Sequence, residues 1–153
     1  LSGLIAETQL AVSMRSRKRF KLSEYFDPVT GEEPVNLIDV RNRVILERDD
    51  GRKLEIDLLA ASKDNRLIVV EVKKTKAKTG TRIIEDFLEK TRLLKERNPE
   101  KTVVPMVLSL SGFTEEAAIM CRKKGLGMAE ERTTWYYDIQ SNMDVHLKII
   151  VLL

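Results

Sequence analysis

Residues Leu54–Thr75 read LEIDLLAASKDNRLIVVEVKKT, and this stretch decides the fold. It covers most of one strand-like run, Arg52–Ala61 (RKLEIDLLAA), and all of another, Arg66–Lys74 (RLIVVEVKK), separated by the turn residues Lys63-Asp64-Asn65. That spacing predicts two antiparallel strands joined by a hairpin. Alternate residues of a strand share a face, so Glu55 and Asp57 are expected to point one way from the first strand. Glu71 and Lys73 share a face of the second, and the turn brings Asp57 opposite the Glu71 region. Two or three carboxylates and an ammonium then converge on an otherwise apolar hairpin.

Burying such a cluster is costly without partners, so stability alone is a poor reason to place it there. Carboxylate oxygens with a backbone carbonyl suit Mg²⁺, a hard cation that keeps several waters. A lysine two residues after the second acid can touch a metal-bound water or a phosphate without displacing the metal. A metal to polarise the phosphate, an activated water and a positive charge for the developing oxyanion are what phosphodiester hydrolysis requires.

Working outward, Leu37–Glu47 (LIDVRNRVILE) ends at Asp49-Asp50-Gly51 and completes an antiparallel meander. Before it, Asp27-Pro28 and Thr30–Pro34 are turn signals, which predict a surface excursion over Phe20–Val35. The chain begins with an amphipathic helix that carries Glu7 and runs to about Arg15. After Gly80, Ile83, Ile84, Phe87, Leu88 and Leu94 recur at helical spacing until Asn98-Pro99. Thr102–Leu110 (TVVPMVLSL) reads as a strand covered on both faces. Thr114 is an expected N-cap and Gly125 an expected C-terminal stop for a helix over Glu115–Lys124. Leu126–Ala129 is expected to form one more short strand. The pattern is an α/β domain with a mixed central sheet. The nearly all-apolar Val145–Leu153 is expected to add a strand to that sheet or to pair with a second copy.

Asp57, thirteen intervening residues, then Glu71-Val72-Lys73 resembles the bipartite motif of the PD-(D/E)xK nuclease superfamily. Glu55 before Ile56-Asp57, and the apolar run before Glu71, look most like its resolvase-like branch. The resemblance covers about Gly3–Leu110 and implies a restriction endonuclease-like core, α-β-β-β-α-β, with helices flanking a mixed sheet. It implies that Asp57, Glu71 and the Val72 carbonyl hold Mg²⁺, for which Mn²⁺ can substitute, and that Lys73 serves the attacking water. Gly3-Leu4-Ile5-Ala6-Glu7 resembles the first-helix glutamate of many members, so Glu7 is a fourth candidate; otherwise it is an ordinary helix glutamate. Glu55 is a second-tier candidate, or a strand-edge partner for a basic residue. The implied activity is endonucleolytic cleavage of DNA, like that of Holliday-junction resolvases or restriction endonucleases, by a homodimer whose two sites match the two strands. One feature departs from the pattern, the long segment Arg15–Glu47. Ile56 stands where many members have proline, which the resolvase-like branch often lacks too. The Gln–Tyr pair of helicase-linked relatives is absent from the helix after Lys73, which makes those a poorer match. The alternative is a catalytically silent nuclease-fold module that binds nucleic acid or a protein within a larger chain.

Composition agrees with a single domain over residues 1–153, expected to be part of a longer chain. The chain is 42% hydrophobic and 33% charged, with both signs interleaved among apolar positions, which excludes disorder. No apolar run approaches the roughly 20 residues that cross a bilayer, so no membrane partner is expected. One cysteine, Cys121, excludes an internal disulfide and a disulfide-linked partner is not expected; the chain suits a reducing compartment, the cytoplasm. One histidine, His146, excludes most His-built metal sites. The net charge is only +3, but Arg15–Lys21 and Lys73–Arg82 each hold five basic residues and no acid. Arg17, Lys18 and Arg19 in the first, and Lys74, Lys76, Lys78 and Arg82 in the second, are therefore the candidate contacts to a nucleic-acid backbone. Trp135-Tyr136-Tyr137 could stack on bases, or pack on the sheet.

Overall fold

The computed structural model describes the backbone of residues 2–29, 33–138 and 143–152, and the side chains of residues 7–8, 10–29 and 33–130. The chain runs α1 (Ser2–Arg17), β1 (Arg19–Phe20), a 3-10 turn at Leu22–Glu24, β2 (Val35–Glu47), β3 (Lys53–Ser62), β4 (Arg66–Lys73) and α2 (Thr81–Arg97). It continues through β5 (Thr102–Ser109), α3 (Glu115–Lys124), β6 (Gly127–Asp138) and β7 (Met143–Leu152). The expected order α-β-β-β-α-β is present as α1-β2-β3-β4-α2-β5.

The seven strands lie side by side in chain order. β2, β3 and β4 form the antiparallel meander, β4–β5 and β5–β6 are parallel, and β6–β7 is antiparallel. Parallel neighbours need crossover connections, which α2 and α3 provide. β4 sits inside the sheet with Leu67–Val72 buried throughout, which accounts for its unbroken apolar run.

Each face of the sheet carries its own core. On one, Leu10, Ala11 and Met14 of α1 pack against Leu58, Ala60, Ile68, Val70 and Val72. On the other, Ile84, Phe87 and Leu94 of α2 and Ala117 and Cys121 of α3 cover Ile56, Leu67, Val69, Val103 and Val107. Burial pushes the Cys121 thiol up to about 11, so it is a core side chain and not a nucleophile. Thr114 caps α3 by accepting the Ala117 N–H at 3.1 Å, and Gly125 stops it in the left-handed region at φ 70°.

The Phe20–Val35 segment departs from the surface excursion that its turn residues predict. Phe20, Leu22, Phe26 and Val35 are buried in the α1-side core, and Tyr25 nearly so. Turn residues mark changes of direction and say nothing of depth; here the apolar residues between them decide where the segment goes. Asp27 forms a two-bond antiparallel bridge to Met128 of β6 (3.0 and 2.9 Å), which fixes the segment beside the start of that strand. Gly127 makes room for it, since a Cβ there would stand 3.1 Å from that of Phe26. The β6 strand also runs well past the expected Ala129, and the C-terminal stretch adds a strand to its own chain's sheet. The side chains of Trp135, Tyr136, Tyr137 and His146 lie outside the described residues. Among the described residues, no helix is long and apolar enough to cross a membrane.

Candidate active site

The site lies where the β3–β4 ladder ends. Its last pairs are Leu59↔Val69 and Leu58↔Val70, which places Asp57 and Glu71 next in register on neighbouring strands. Regular alternation would put Ile56 and Leu58 on one face, yet Ile56 packs under α2 and α3 while Leu58 packs under α1. The side-chain alternation therefore slips at Asp57. Across the other strand gap, Arg43 falls between the pairs Asn42↔Leu58 and Val44↔Ile56 and holds φ 54°. A non-glycine residue in that region is strained by roughly 1–2 kcal/mol and marks a deliberate kink.

The consequence is a bond that a regular sheet would not make. The half-buried Asp57 carboxylate accepts the Val72 N–H at 2.7 Å. It thereby satisfies a backbone donor that the shortened ladder would leave without a partner. The acid is fixed by the same irregularity that opens the strands.

Glu71 is buried, with 4% of its surface exposed, and stands on the α2 side of the sheet. Lys73 reaches its Oε1 at 3.1 Å, from the same face two residues on. Lys90 of α2 reaches both oxygens, at 3.2 and 3.3 Å, and also donates to the Glu55 carbonyl at 2.9 Å. One buried carboxylate is thus clasped by two ammonium groups, each itself mostly withdrawn from water. A cavity of about 290 Å³ opens beside it, lined by Arg48, Leu54, Ile83, Asp86 and Glu89 with Glu71 and the two lysines. Glu89 is held below its ordinary carboxyl value by hydrogen bonds from Arg92 and by the nearby charge of Arg48.

Glu7 is also buried, at 3% exposed, but α1 presents it on the opposite side of the sheet from Glu71. Its partner there is Lys74 at 3.4 Å. The Glu55 side chain is exposed, and this residue enters the site through its carbonyl. Among the described residues, no three acidic, histidine or cysteine side chains are gathered closely enough to hold a metal. Asp57 and Glu71 are therefore brought to adjacent strand positions with Lys73, and Glu7 is not joined to them.

Of the basic candidates, Lys74, Lys76 and Lys78 are exposed on the connection leaving the site, and Arg82 is exposed in the first turn of α2. Lys18 and Arg19 are exposed at the end of α1, with Lys18 at φ 58°. Arg17 is engaged in the fold, its guanidinium over the rings of Phe20 and Tyr25 at 5.4 and 5.6 Å and ion-paired with Glu24. Lys90 was not singled out by the sequence reading, although a signal existed. It falls on the helical stripe Ile83, Phe87, Leu94, where a lysine interrupts an apolar face.

No protein-family model and no curated protein matches the chain in sequence. Solved structures resemble it, three of them as follows. A protein of unknown function, AF1548, superposes with TM-score 0.57 at 14% identity over 80% of this chain and 55% of its own. A repair endonuclease from Pyrococcus abyssi gives TM-score 0.41 at 20% identity, over 59% of this chain and 37% of that one. The EndoMS–dsDNA2 complex gives 0.45 at 16%, over 81% and 42%. The chain thus spans about half the length or less of these structures, and what it shares with AF1548 is the fold.

Proposed function

We propose that this chain is a metal-dependent endodeoxyribonuclease domain of the PD-(D/E)xK type, resembling Holliday-junction resolvases or restriction endonucleases. The observation that carries the reading is the pair Asp57 and Glu71 at the opened end of the β3–β4 ladder, with Lys73 on Glu71. Two hard carboxylates on adjacent strands, with the Val72 carbonyl beside them, are a donor set that fits Mg²⁺, which takes one or two protein carboxylates and completes its shell with water and phosphate oxygens. Mn²⁺ would suit the same donors. When bound, the ion polarises the phosphodiester and lowers the pKa of a coordinated water.

The chain's own residues supply the rest. Asp57 is held rigid by the Val72 N–H, so one ligand is in place before the ion arrives. Lys73 orients the attacking water or offsets charge on the phosphate from the Glu71 side. Lys74, Lys76, Lys78 and Arg82 hold the backbone of the DNA against the site, with Lys18 and Arg19 as a second run. Glu7, on the opposite side of the sheet from Glu71, pairs with Lys74 and positions that lysine. A homodimer would present two such sites to a duplex.

A second reading is a silent module of the same fold that binds nucleic acid or a protein. The clasp of Lys73 and Lys90 on Glu71 favours it, because a carboxylate so neutralised has no physical need of a metal. Calorimetric titration with Mn²⁺ separates the two. Binding that disappears in Glu71→Ala supports the enzyme; no binding by the wild-type protein supports the module.

A further inference from the structure

We infer that Lys90 is a built-in competitor for the metal: its ammonium engages the same Glu71 carboxylate that a divalent cation would need, so the two compete for it. This rests on the nuclease reading above and adds to it a residue and a control on metal affinity. Lys90 Nζ contacts both Glu71 oxygens, at 3.2 and 3.3 Å, and Lys73 adds a contact on Oε1 at 3.1 Å, so ammonium groups take most of the roughly four lone-pair sites of that carboxylate. The ammonium is not there by default. It comes from a different element, crosses the apolar stripe of α2, and is held by a third bond to the Glu55 carbonyl at 2.9 Å. Lys73 alone would already neutralise Glu71. With a second ammonium, Asp57 and Glu71 face two ammonium groups, so the cluster offers an incoming cation no net negative charge.

The cavity supplies the place to which Lys90 moves. It opens beside Glu71 and is lined by Asp86 and Glu89 on the same helix. Asp86 lies four residues before Lys90, a spacing at which helix side chains meet. With Glu71 taken by the ion, the freed ammonium stays in the cavity against Asp86 and Glu89.

The test is Mn²⁺ titration of wild type, Lys90→Met, Lys90→Arg and Glu71→Ala by calorimetry, without DNA. Lys90→Met is expected to bind Mn²⁺ about tenfold more tightly or better, as a unit charge in contact with the ligand is removed. Lys90→Arg, which keeps the charge, is expected to stay within about threefold of wild type by the same reasoning. A thermal melt identifies any variant that has lost the fold, and Lys90→Gln, which also removes the charge and is expected to tighten Mn²⁺ binding, then stands in for Lys90→Met. Equal Mn²⁺ affinity in wild type and Lys90→Met, with binding lost in Glu71→Ala, overturns the role of Lys90 and leaves the nuclease reading intact. No Mn²⁺ binding by any of the four overturns both. Binding by Lys90→Met where wild type shows none would be the strongest support.

Discussion

Replacing Asp57 by alanine and by asparagine separates what this side chain does for the fold from what it does for chemistry. Its carboxylate accepts the N–H of Val72 at 2.7 Å, and Val72 is 3% exposed. In Asp57→Ala the donor loses its acceptor in a place that water reaches poorly. An orphaned buried N–H costs about 1–3 kcal/mol. With a urea m-value near 1.5 kcal/mol/M, a loss of about 2 kcal/mol moves the unfolding midpoint down by roughly 1 M. Asp57→Asn keeps an amide oxygen in the same position and loses only the charge-assisted part of the bond, about 1 kcal/mol or less. Both variants are expected to lose Mn²⁺ binding and cleavage alike, because neither brings a negative charge. Urea unfolding followed by circular dichroism reads the first difference, and metal titration the second. An Asp57→Ala protein as stable as wild type would refute the claim that this acid closes the strand ladder. An Asp57→Asn protein that cleaves DNA at the wild-type rate would refute its place as a ligand.

Other outcomes follow from the fold. Phe26→Ala removes a side chain with no exposed surface and should destabilise by about 3–5 kcal/mol; a change under 1 kcal/mol by urea unfolding would return the Phe20–Val35 segment to the surface. Thr114→Ala removes the cap of α3 and should cost about 1 kcal/mol in the same assay, with Thr114→Ser close to wild type. Hydrogen bonds from Arg66 hold the Asp64 carboxyl at about 2, below its ordinary 3.8. A depressed folded value means stabilisation that is present above the ordinary carboxyl range and lost as pH falls towards 2. Asp64 is about half exposed, so the Asp64→Asn deficit should be only about 0.5 kcal/mol at neutral pH, vanishing near pH 2; a deficit independent of pH would contradict the ion pair.

Much of this architecture is written in local signals. The turn at Lys63-Asp64-Asn65, the change from period 2 to period 3.6 after Gly80, and the Thr114 cap with Gly125 behind it each act within a few residues, and each is where local chemistry places it. The spacing of Asp57, Glu71 and Lys73 was legible for the same reason, since two strands and one turn set their relation. What local pattern could not convey is what depends on distant partners. Alternation puts Ile56 and Leu58 together, but the kink at Arg43 on another strand divides them between two cores and turns Asp57 into the gap. The depth of Phe26 depends on the absence of a side chain at Gly127, a hundred residues later. Glu7 and Glu71 are both buried acids, yet only the three-dimensional stacking of α1 and α2 on opposite faces shows that they are held apart. Lys90 was readable in part, as a lysine within an apolar stripe, but its target could be named only once α2 was laid across β4.

The most direct test of the account is cleavage of labelled duplex, single-stranded and branched DNA by the purified chain with Mg²⁺ or Mn²⁺, beside its Lys73→Met variant. The account predicts endonucleolytic products that require the divalent ion, vanish with chelator, and fall by two orders of magnitude or more in Lys73→Met, the order expected for one group acting on the water or the developing charge. A wild-type chain that binds these DNAs and cuts none of them with either ion would contradict it.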